Sequence, residues 1–542
     1  MMHIRHVTFL FLVFILKEVV CKLKAADVQL SRTATVKGSL SYLDWNPRPV
    51  FVFKGIPYGK PPLGELRFRP PRSFGLWKGR RDALKYGDRC HQKRDYKYMS
   101  EDCLFLNIHS PNLNPTNKLA VIVNIHGGGL TKGSGNRGAT ALCLMNNVLF
   151  VTMNYRLGPL GFFTTGDDNA PGNVGLLDQQ MAIRWVKRYI SKFGGDPNRI
   201  TIMGDSGGGV SVSTQVLSPT NAGLFQRVIS NSGVATAPGR VNTRHDEVNK
   251  SSKVAAAVGC SQLTKSASMR CLRNVDPGRL TSHGASVEPL YPYVDGTFLT
   301  DLPFNAYNTG KFNRIEYLLG FNRDEGVYFF NGLTPNKNNI KSLITSYTKR
   351  FYPKNTKAIV DEIMSVYVRN KGLTTDADYA KAYSNFVGDL RYIGPTNDVA
   401  RKHSVYNRVY MFFFNHRPAY SSYPAWVSAT HSDQKSYIME FPFSKPNGGF
   451  SSAGKSLSRH IMKYYTNFAK TGNPNGSGLP VWPRLTCTNG EYMQLVYGPK
   501  PGERYQPKRM ELWTETIPRL DTHRLPNYKG FPWTCPRATG LL

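Results

Sequence analysis

Residues 172–209 read GNVGLLDQQMAIRWVKRYISKFGGDPNRITIMGDSGGG, and three successive patterns in them point to one class of fold. Leu177, Met181 and Trp185 recur at helical spacing, and Gly194 ends that pattern. RITIM (199–203) is a short apolar run of the kind that a buried strand needs, and a glycine-rich turn follows it. The succession of helix, turn, strand and turn predicts part of a βαβ unit.

Further apolar runs bounded by turn residues lie on both sides of this stretch. They are LAVIVNIHGGG (119–129), VLFVTMNYR (148–156), VISNSG (228–233) and EYLLGFN (316–322). Nearly continuous apolar runs are typical of strands covered on both faces, as in a mostly parallel sheet flanked by helices. No linker rich in Pro, Ser or Gly divides the chain, so we predict a single α/β domain over residues 26–540.

The turn Gly204-Asp205-Ser206-Gly207-Gly208 matches the pattern G-x-S-x-G. In that pattern a sharp turn between a strand and a helix exposes a serine hydroxyl above the sheet, and small neighbours let the backbone turn tightly. The start of the following helix adds a positive field near the hydroxyl. The strand-like run before the turn and the helix-compatible VSVSTQVL after it support the motif, so Ser206 is the candidate nucleophile.

A second glycine turn, His126-Gly127-Gly128-Gly129, also follows a predicted strand. An HGGG loop can direct backbone N–H groups at a tetrahedral oxyanion, because glycine lets the backbone approach closely. Ligands of open α/β sheets bind at the carboxyl ends of the strands, where we expect both turns. Together the two turns predict a site for nucleophilic attack on a carbonyl group.

Such a site needs an acid and a base, which follow the serine in the order acid, histidine. Asp324 and Glu325 come directly after a predicted strand. Five histidines follow them, and the residues alone do not choose among these: His403, His416, His431, His460 and His523.

The composition excludes several classes of protein. The chain has 542 residues, 40% hydrophobic and 12% aromatic, which excludes a disordered protein. No heptad run, collagen-like period or longer repeat is present, which argues against coiled coils, collagen and solenoids. With 70 Lys and Arg against 36 Asp and Glu, the net charge of +34 favours anionic or neutral partners over cationic ones. An acidic glycan or an anionic membrane surface fits this charge; nucleic acid fits less well, because no nucleic-acid-binding module is present.

The N-terminus carries Arg5 and then a charge-free, mostly apolar run from Val7 to Leu16. This run is too short to span a bilayer, and it is typical of a secretory signal peptide. We therefore predict a signal peptide over residues 1–21 and a secreted, extracellular protein.

The cysteines fit an oxidising compartment, in which most cysteines pair. Cys143 precedes an apolar strand-like run and is predicted to be a buried free thiol. Two pairs are close enough in sequence to close small loops, and a third pair is less firmly indicated: Cys90–Cys103, Cys260–Cys271 and Cys487–Cys535.

Two sequons predict N-glycosylation in surface loops, at Asn249 (NKS) and Asn475 (NGS). The spacing of Cys and His suggests no zinc site, and we expect no cofactor. Sequence alone does not give the oligomeric state.

Over nearly all of its mature length, the sequence resembles the type-B carboxylesterase/cholinesterase-like family, which implies an α/β-hydrolase fold. The stretch 172–209 is one of the matches. The others are FKGIPYGKPPLGELRF (53–68), SEDCLFLNI (100–108), NIHGGG (124–129), NYRLGPLGF (154–162), LLGFNRDEG (318–326), FAKTGNPN (468–475), EYMQL (491–495) and ELWTETIP (511–518).

The resemblance implies a role for individual residues. Ser206 takes the place of the nucleophile, Glu325 in the DEG motif that of the acid, and His431 in W-x-x-x-x-H that of the base. It also implies oxyanion donors, two structural ion pairs and a hydrogen-bond partner behind the acid. These are Gly128, Gly129 and Gly207; Arg67 with Glu101 and Arg156 with Asp178; and Ser232.

Three departures from the family pattern stand out. The family often has Glu-Ser-Ala at the nucleophile, where this chain has Asp205-Ser206-Gly207. After His431 the chain has the sequence SDQ instead of the usual HGDE-like motif. The cysteine of a third family disulfide is replaced by Met510, and a Cys487–Cys535 bridge is a hypothetical local substitute.

The resemblance favours a serine carboxylic-ester hydrolase acting on a small-molecule or lipid ester through an acyl-enzyme. A cholinesterase is the less favoured alternative, because the short basic loop between Cys90 and Cys103 contains no tryptophan to bind a quaternary ammonium. Tyr96 and Tyr98 in that loop leave a weaker cation site open. A non-catalytic adhesion or polyanion-binding protein is the other alternative, and the presence of all three triad residues argues against it.

Overall fold

The structure, a computed structural model, describes residues 26–521 apart from 94–96, 262–263, 285–286, 288, 440 and 445–448. Its strands are β1 (Ala26–Gln29), β2 (Ala34–Leu43), β3 (Asn46–Pro57), β4 (Gly79–Asp82), β5 (Arg89–Cys90), β6 (Met99–Ser100), β7 (Phe105–Ser110), β8 (Leu119–Ile125), β9 (Leu149–Met153), β10 (Gly195–Asp205), β11 (Arg227–Asn231), β12 (Glu316–Asn322), β13 (Val409–Phe414), β14 (Tyr492–Leu495) and β15 (Lys500–Gly502).

The described α-helices, numbered in chain order, are α1 (Thr140–Asn146), α2 (Gly158–Phe162), α3 (Val174–Tyr189), α4 (Gly207–Leu217), α5 (Arg244–Ala257), α6 (Lys265–Asn274), α7 (Pro277–Arg279), α8 (Pro303–Asn308), α9 (Ile340–Lys349), α10 (Thr356–Tyr367), α11 (Asp376–Gly388), α12 (Gly394–Ser404), α13 (Gln434–Ile438), α14 (Phe441–Ser444), α15 (Ser452–Thr471), α16 (Pro507–Glu511) and α17 (Ile517–Leu520). A π-helical turn, Asp389–Ile393, joins α11 to α12.

Most of the described strands form one large sheet in the order β1-β2-β3-β7-β9-β8-β10-β11-β12-β13-β14-β15, with β4 beside β2. The pairs from β9 through to β14 are parallel, as is the β2–β4 pair, and the other pairs of this sheet are antiparallel. The predicted mostly parallel sheet flanked by helices is therefore confirmed.

Side chains of the parallel strands pack on both faces of the sheet. On β8, Val121 and Val123 belong to one apolar core and Ile122 to the other. On β12, Leu318 and Leu319 likewise point into opposite cores. Both faces are covered, which is why these strands are apolar at every position rather than at every second one.

The helix and strand of residues 172–209 form α3 and β10, and the carboxyl end of β10 leads directly into Ser206. The neighbouring strands β8 and β11 run parallel to β10, so the HGGG turn after β8 opens at the same edge of the sheet. Both glycine turns thus lie at the strand ends where the sequence predicts them.

Both predicted ion pairs are present and buried. The guanidinium of Arg67 is bonded to Glu101 in two places. Arg156 donates from Nε and Nη2 to the two carboxylate oxygens of Asp178, at 2.8 and 2.7 Å. The Asp178 side chain is fully buried. Its ion pair with Arg156 connects α3 to the segment that follows β9. A buried pair of this kind is costly to break from one side.

We expect Asp178→Asn to lower the free energy of unfolding by about 3–5 kcal/mol, because it leaves the buried charge of Arg156 without a counter-charge. Urea denaturation followed by tryptophan fluorescence measures the change. The double variant Arg156→Met/Asp178→Leu removes both charges and should recover most of the loss. A loss below about 1 kcal/mol in Asp178→Asn would show that the pair contributes little.

The two short-range disulfides predicted from the sequence, Cys90–Cys103 and Cys260–Cys271, are both formed. Cys143 is buried and is not in a disulfide, as predicted, and its Sγ lies 3.6 Å from the His109 carbonyl oxygen. Cys487 is disulfide-bonded, while Cys535 lies outside the described residues, as does the predicted signal peptide.

The two sequons differ in their surroundings. Asn249 is exposed, but on helix α5 rather than in a loop. The amide nitrogen of Asn475 donates to Asn473 Oδ1 and to the Trp482 carbonyl, at 2.9 Å each. A glycan on Asn475 would displace those bonds, so Asn249 is the better placed of the two for glycosylation.

The described part of the chain contains no helix that is long and apolar enough to cross a membrane. Within the same residues, no group of three His, Cys, Asp or Glu side chains could hold a metal ion.

Candidate active site

Ser206 sits on a sharp turn between β10 and α4, with φ 57° and ψ −120°. A positive φ is strained for a residue with a side chain, and such strain persists only where the surroundings hold it. Here the Ser206 N–H donates to the Asn231 carbonyl on β11 at 2.8 Å, and Val210 N–H donates back to the Ser206 carbonyl at 3.0 Å. The turn presents the hydroxyl above the carboxyl end of the sheet.

The structure brings together the three residues implied as a triad. His431 Nε2 lies 2.8 Å from Ser206 Oγ, and His431 Nδ1 lies 2.5 Å from Glu325 Oε2. These residues come from the turn after β10, the turn after β12 and the long segment after β13, and Ser206 and His431 are 225 positions apart. This arrangement can pass a proton from the serine to the histidine while the carboxylate holds the ring.

Glu325 is fully buried, and its second oxygen is also occupied. Oε1 accepts hydrogen bonds from Ser232 Oγ at 2.6 Å and from the Asn322 N–H at 2.7 Å. Ser232 therefore lies behind the carboxylate, as the resemblance implies. The hydrogen bonds on both carboxylate oxygens fix the orientation of the Glu325 side chain toward His431.

The HGGG loop faces the serine turn at very close range. A methyl group at Gly207 would lie 2.7 Å from the nitrogen of Gly129, so the two loops approach more closely than an alanine side chain allows. No described residue accepts a backbone hydrogen bond from the N–H of Gly128, Gly129 or Gly207. These three N–H groups, adjacent to the serine, are the candidate donors for an oxyanion.

The remaining acid and histidine candidates have other surroundings. Asp324 accepts the N–H of Ser428 at 2.7 Å, and its own N–H donates to the Ala429 carbonyl, so it holds the loop that carries His431. His403 is buried against the Ile315 carbonyl at 2.7 Å, and burial lowers its pKa to about 4. His416 and His460 contact neither Ser206 nor Glu325 by a described hydrogen bond. His523 lies outside the described residues.

Two of the three sequence departures meet next to the nucleophile. Asp205 accepts from Ser432 Oγ and from Gln434 Nε2, both at 2.7 Å. Gln434 in turn accepts from Asn322 Nδ2 at 2.6 Å. The amide of Gln434 thus connects a carboxylate on the serine turn with a donor at the end of β12, and this connection clamps the segment just after His431.

The contact between Asp205 and Gln434 can be tested by moving the carboxylate from one position to the other. We expect Gln434→Glu alone to lower kcat by about tenfold or more, because it sets two carboxylates against each other beside His431. Adding Asp205→Asn restores a donor and an acceptor at the contact and should recover most of the activity. Steady-state kinetics of the two single variants and the double variant complete the cycle. Strictly additive losses would contradict the clamp.

Burial also shapes the electrostatics around the site. It raises the pKa of Asp433, two residues after His431, to about 6, although the Thr430 N–H and the nearby His431 oppose the rise. It lowers the pKa of His126 to about 3, so that this ring in the HGGG loop stays neutral. The neutral His126 ring stacks on Tyr155 at 4.4 Å, and Tyr155 Oη donates to the His126 carbonyl.

Other residues at the site were not predicted from the sequence. Gln92, inside the Cys90–Cys103 loop, accepts from the Gly133 N–H at 2.7 Å and donates to the Gly133 carbonyl, so the disulfide loop holds the end of the HGGG segment. Tyr328, Phe329 and Tyr392 pack their rings around His431, with ring-centroid distances of 5.3, 5.9 and 4.5 Å. No motif marks these positions, because each acts through a contact between distant segments.

Comparisons with known proteins give the family of the chain. A model of the carboxylesterase family matches residues 24–513. The chain is 34% identical to a pyrethroid hydrolase of Rattus norvegicus, over 91% of this chain and 90% of that protein. It is also 34% identical to a cocaine esterase of Oryctolagus cuniculus, over 91% and 97%. Identity to a cholinesterase of Mus musculus is 35%, over 82% and 79%.

Proposed function

Because the chain belongs to the carboxylesterase family of α/β-hydrolases, we propose that it is a secreted carboxylic ester hydrolase that works through an acyl-enzyme on Ser206. One observation carries the proposal: the hydrogen-bonded relay from Ser206 through His431 to Glu325 lies beside glycine-loop N–H groups that donate to no described backbone acceptor. Two disulfides support export, since such bonds persist in oxidising compartments.

The proposed mechanism follows from this relay. His431 Nε2 takes the proton of Ser206 as its oxygen attacks the ester carbonyl, and Glu325 stabilises the imidazolium that forms. The N–H groups of Gly128, Gly129 and Gly207 stabilise the tetrahedral oxyanion. His431 then protonates the leaving alcohol, and an acyl group remains on Ser206. Water, deprotonated by His431, attacks that acyl group and releases the acid.

The substrate is proposed to be a small-molecule ester, as the names of the related hydrolases suggest. A choline ester is the less favoured substrate. The loop between Cys90 and Cys103 has no tryptophan, its described cations Lys93 and Lys97 are exposed, and the net charge is +34. A positive field repels a cationic substrate.

The test is hydrolysis of p-nitrophenyl acetate and butyrate by the purified secreted protein, with acetylthiocholine in parallel. A fluorophosphonate that labels activated serines, followed by peptide mass spectrometry, identifies the nucleophile. We expect turnover of the aryl esters, little turnover of acetylthiocholine and a label on Ser206. Preferential turnover of acetylthiocholine would favour a cholinesterase. A folded protein with no turnover and no label would favour the non-catalytic adhesion or binding protein.

A second candidate function is polyanion binding. It is favoured by a cluster of cations near the amino-terminal ends of the parallel strands, opposite the candidate active site. We name it the basal cluster, and it consists of Lys118, Arg199, Arg227, Arg408, Lys470 and Arg484. Arg227 and Arg408 share Glu316, and Arg199 pairs with Asp196 at 2.9 Å. Six cations against two carboxylates leave an excess of positive charge.

Lys118, Arg227 and Arg408 of the basal cluster lie at the amino-terminal ends of β8, β11 and β13, and β8 and β13 are the outer two of five adjacent strands. Neighbouring strands are about 4.8 Å apart, so the cluster extends over about 20 Å. Ser206 lies at the carboxyl ends of the same sheet. An acidic glycan bound at the basal cluster would therefore leave the esterase site open.

Retention on heparin tests this second function. We expect the wild type to elute above physiological salt, and a Lys118→Gln/Lys470→Gln/Arg484→Gln variant to elute clearly earlier with its esterase activity intact. The matched control Lys337→Gln/Lys341→Gln/Lys371→Gln removes three exposed lysines elsewhere and should elute like the wild type. Flow-through of the wild type at physiological salt, or equal losses in both variants, would rule out a specific glycan surface.

A further inference from the structure

Two aromatic rings, which we call the aromatic wall, pack against His431, and an arginine contacts this wall. The rings of Phe329 and Tyr392 contact the ring of His431 and stack on each other, with centroids 5.8 Å apart. Tyr392 lies in the π-helical turn Asp389–Ile393, and such turns occur frequently at functional sites. The same turn carries Arg391, which therefore lies one residue from a ring in contact with His431.

The guanidinium of Arg391 is enclosed by aromatic groups. Its Cζ lies 4.5 Å from the centroid of the Phe329 ring, and Nη1 donates to Tyr347 Oη at 3.1 Å. Its Nε is buried and has no hydrogen-bond partner among the described residues. A buried donor that lacks an acceptor is costly, so this group has unused capacity to bind an anion.

A second arginine approaches the same wall from another segment. Arg240 is almost fully buried, and its Nη1 lies 3.5 Å from Tyr291 Oη. Burial raises the pKa of Tyr392, and the charges of Arg240 and Arg391 both oppose that rise. The two guanidinium groups are therefore both within electrostatic reach of the Tyr392 phenol, whose ring packs on His431.

Neither Arg240 nor Arg391 forms an ion pair with a described residue. The carboxylates around this wall are already engaged. Glu247 accepts the Tyr291 N–H and the Asn242 amide, at 2.6 and 2.7 Å, and lies 4.0 Å from Lys250 Nζ. Glu325 is held by His431, Ser232 and Asn322. Arg240 is buried and Arg391 is half-buried, and cations in such positions that lack a counter-charge among the described residues favour an external anion that completes the site.

We propose that Arg240 and Arg391 form a subsite for a carboxylate carried by the ester substrate, so that the enzyme prefers anionic esters, such as half-esters of dicarboxylic acids, over neutral ones. This inference rests on the proposed esterase function. The planar guanidinium fork matches a carboxylate in two places, which a lysine cannot do. The net charge of +34 favours the approach of the same substrates from solution.

Two matched substrate pairs test the preference. On the acyl side, the mono-p-nitrophenyl ester of adipic acid is compared with p-nitrophenyl hexanoate, which has the same spacer and ends in a methyl group. On the alcohol side, 4-carboxyphenyl butyrate is compared with 4-carbamoylphenyl butyrate. We expect kcat/KM to be at least about tenfold higher for the anionic member of at least one pair. The pair that shows this preference identifies whether the acyl or the alcohol part of the ester faces the arginines.

Substitutions then assign the preference to these two residues. In Arg240→Met and in Arg391→Met, the ratio of anionic to neutral kcat/KM should fall by about tenfold, and Arg391→Lys should keep part of it. The ratio is measured within one variant, so a folding defect cancels. Arg188→Met removes an exposed arginine stacked on Tyr189 and controls for net charge.

The outcomes separate this inference from the proposed function. Turnover of neutral esters with no anionic preference in either pair would overturn only the subsite. An equal fall of the ratio in Arg188→Met would also overturn it, because the long-range field would then account for the preference. Absence of any ester hydrolysis would instead overturn the proposed function.

Discussion

Replacing Ser206 with alanine is expected to lower kcat for p-nitrophenyl esters by about 10⁴-fold or more, close to the uncatalysed background. The hydroxyl at 2.8 Å from His431 Nε2 is the group that forms the covalent intermediate in the proposed mechanism. Without it, His431 has no serine proton to take, and only binding and oxyanion stabilisation remain. Pre-steady-state kinetics with the substrate in excess should also lose the burst of p-nitrophenol that acylation produces.

The double variant Ser206→Ala/His431→Ala is the control for this interpretation. Residues that act as one unit lose activity together, so the double variant should be no slower than Ser206→Ala alone. An unchanged thermal unfolding midpoint would show that both variants are folded. If Ser206→Ala kept more than a tenth of the activity, another nucleophile would carry the reaction.

The parallel part of the sheet was predictable because its strands are buried on both faces and therefore appear as apolar runs. The antiparallel strands at the amino-terminal edge were not predicted. On β2, buried residues such as Ala34 and Val36 alternate with partly exposed ones such as Thr35 and Lys37. That alternation gives a weaker signal than a continuous run, and glycines and serines interrupt it.

At the site, the residues themselves indicated Ser206 and the glycine loops but did not choose the base. His403 and His431 both follow the candidate acid, and only the fold shows that one is bonded to a core carbonyl and the other to the serine. The resemblance supplied the choice of His431. Neither the residues themselves nor the resemblance predicted the contact of Asp205 with Gln434. The two positions are 229 residues apart, and both depart from the family motifs.

Glu325→Gln is expected to lower kcat by about 10⁴-fold with little change in KM, because it reverses the hydrogen bond that sets the tautomer of His431. Oε1 of Glu325 is held by the Ser232 hydroxyl and the Asn322 N–H, both donors. The amide oxygen of the glutamine will take that position, and its NH₂ group will then face His431 Nδ1. The ring must accept there, so its proton moves to Nε2, which can no longer accept the proton of Ser206. Steady-state kinetics on p-nitrophenyl butyrate measures the loss.

Asp324 provides a matched control one residue away. Its carboxylate is also buried, but it accepts backbone N–H groups of the loop before His431 and makes no described contact with the ring. Asp324→Asn keeps an acceptor oxygen for those N–H groups, so we expect a loss of less than about tenfold, expressed mainly as a lower unfolding midpoint. Equal losses in Glu325→Gln and Asp324→Asn would mean that the tautomer is not controlled by Glu325. A large loss in Asp324→Asn alone would assign the role of the acid to Asp324 instead of Glu325.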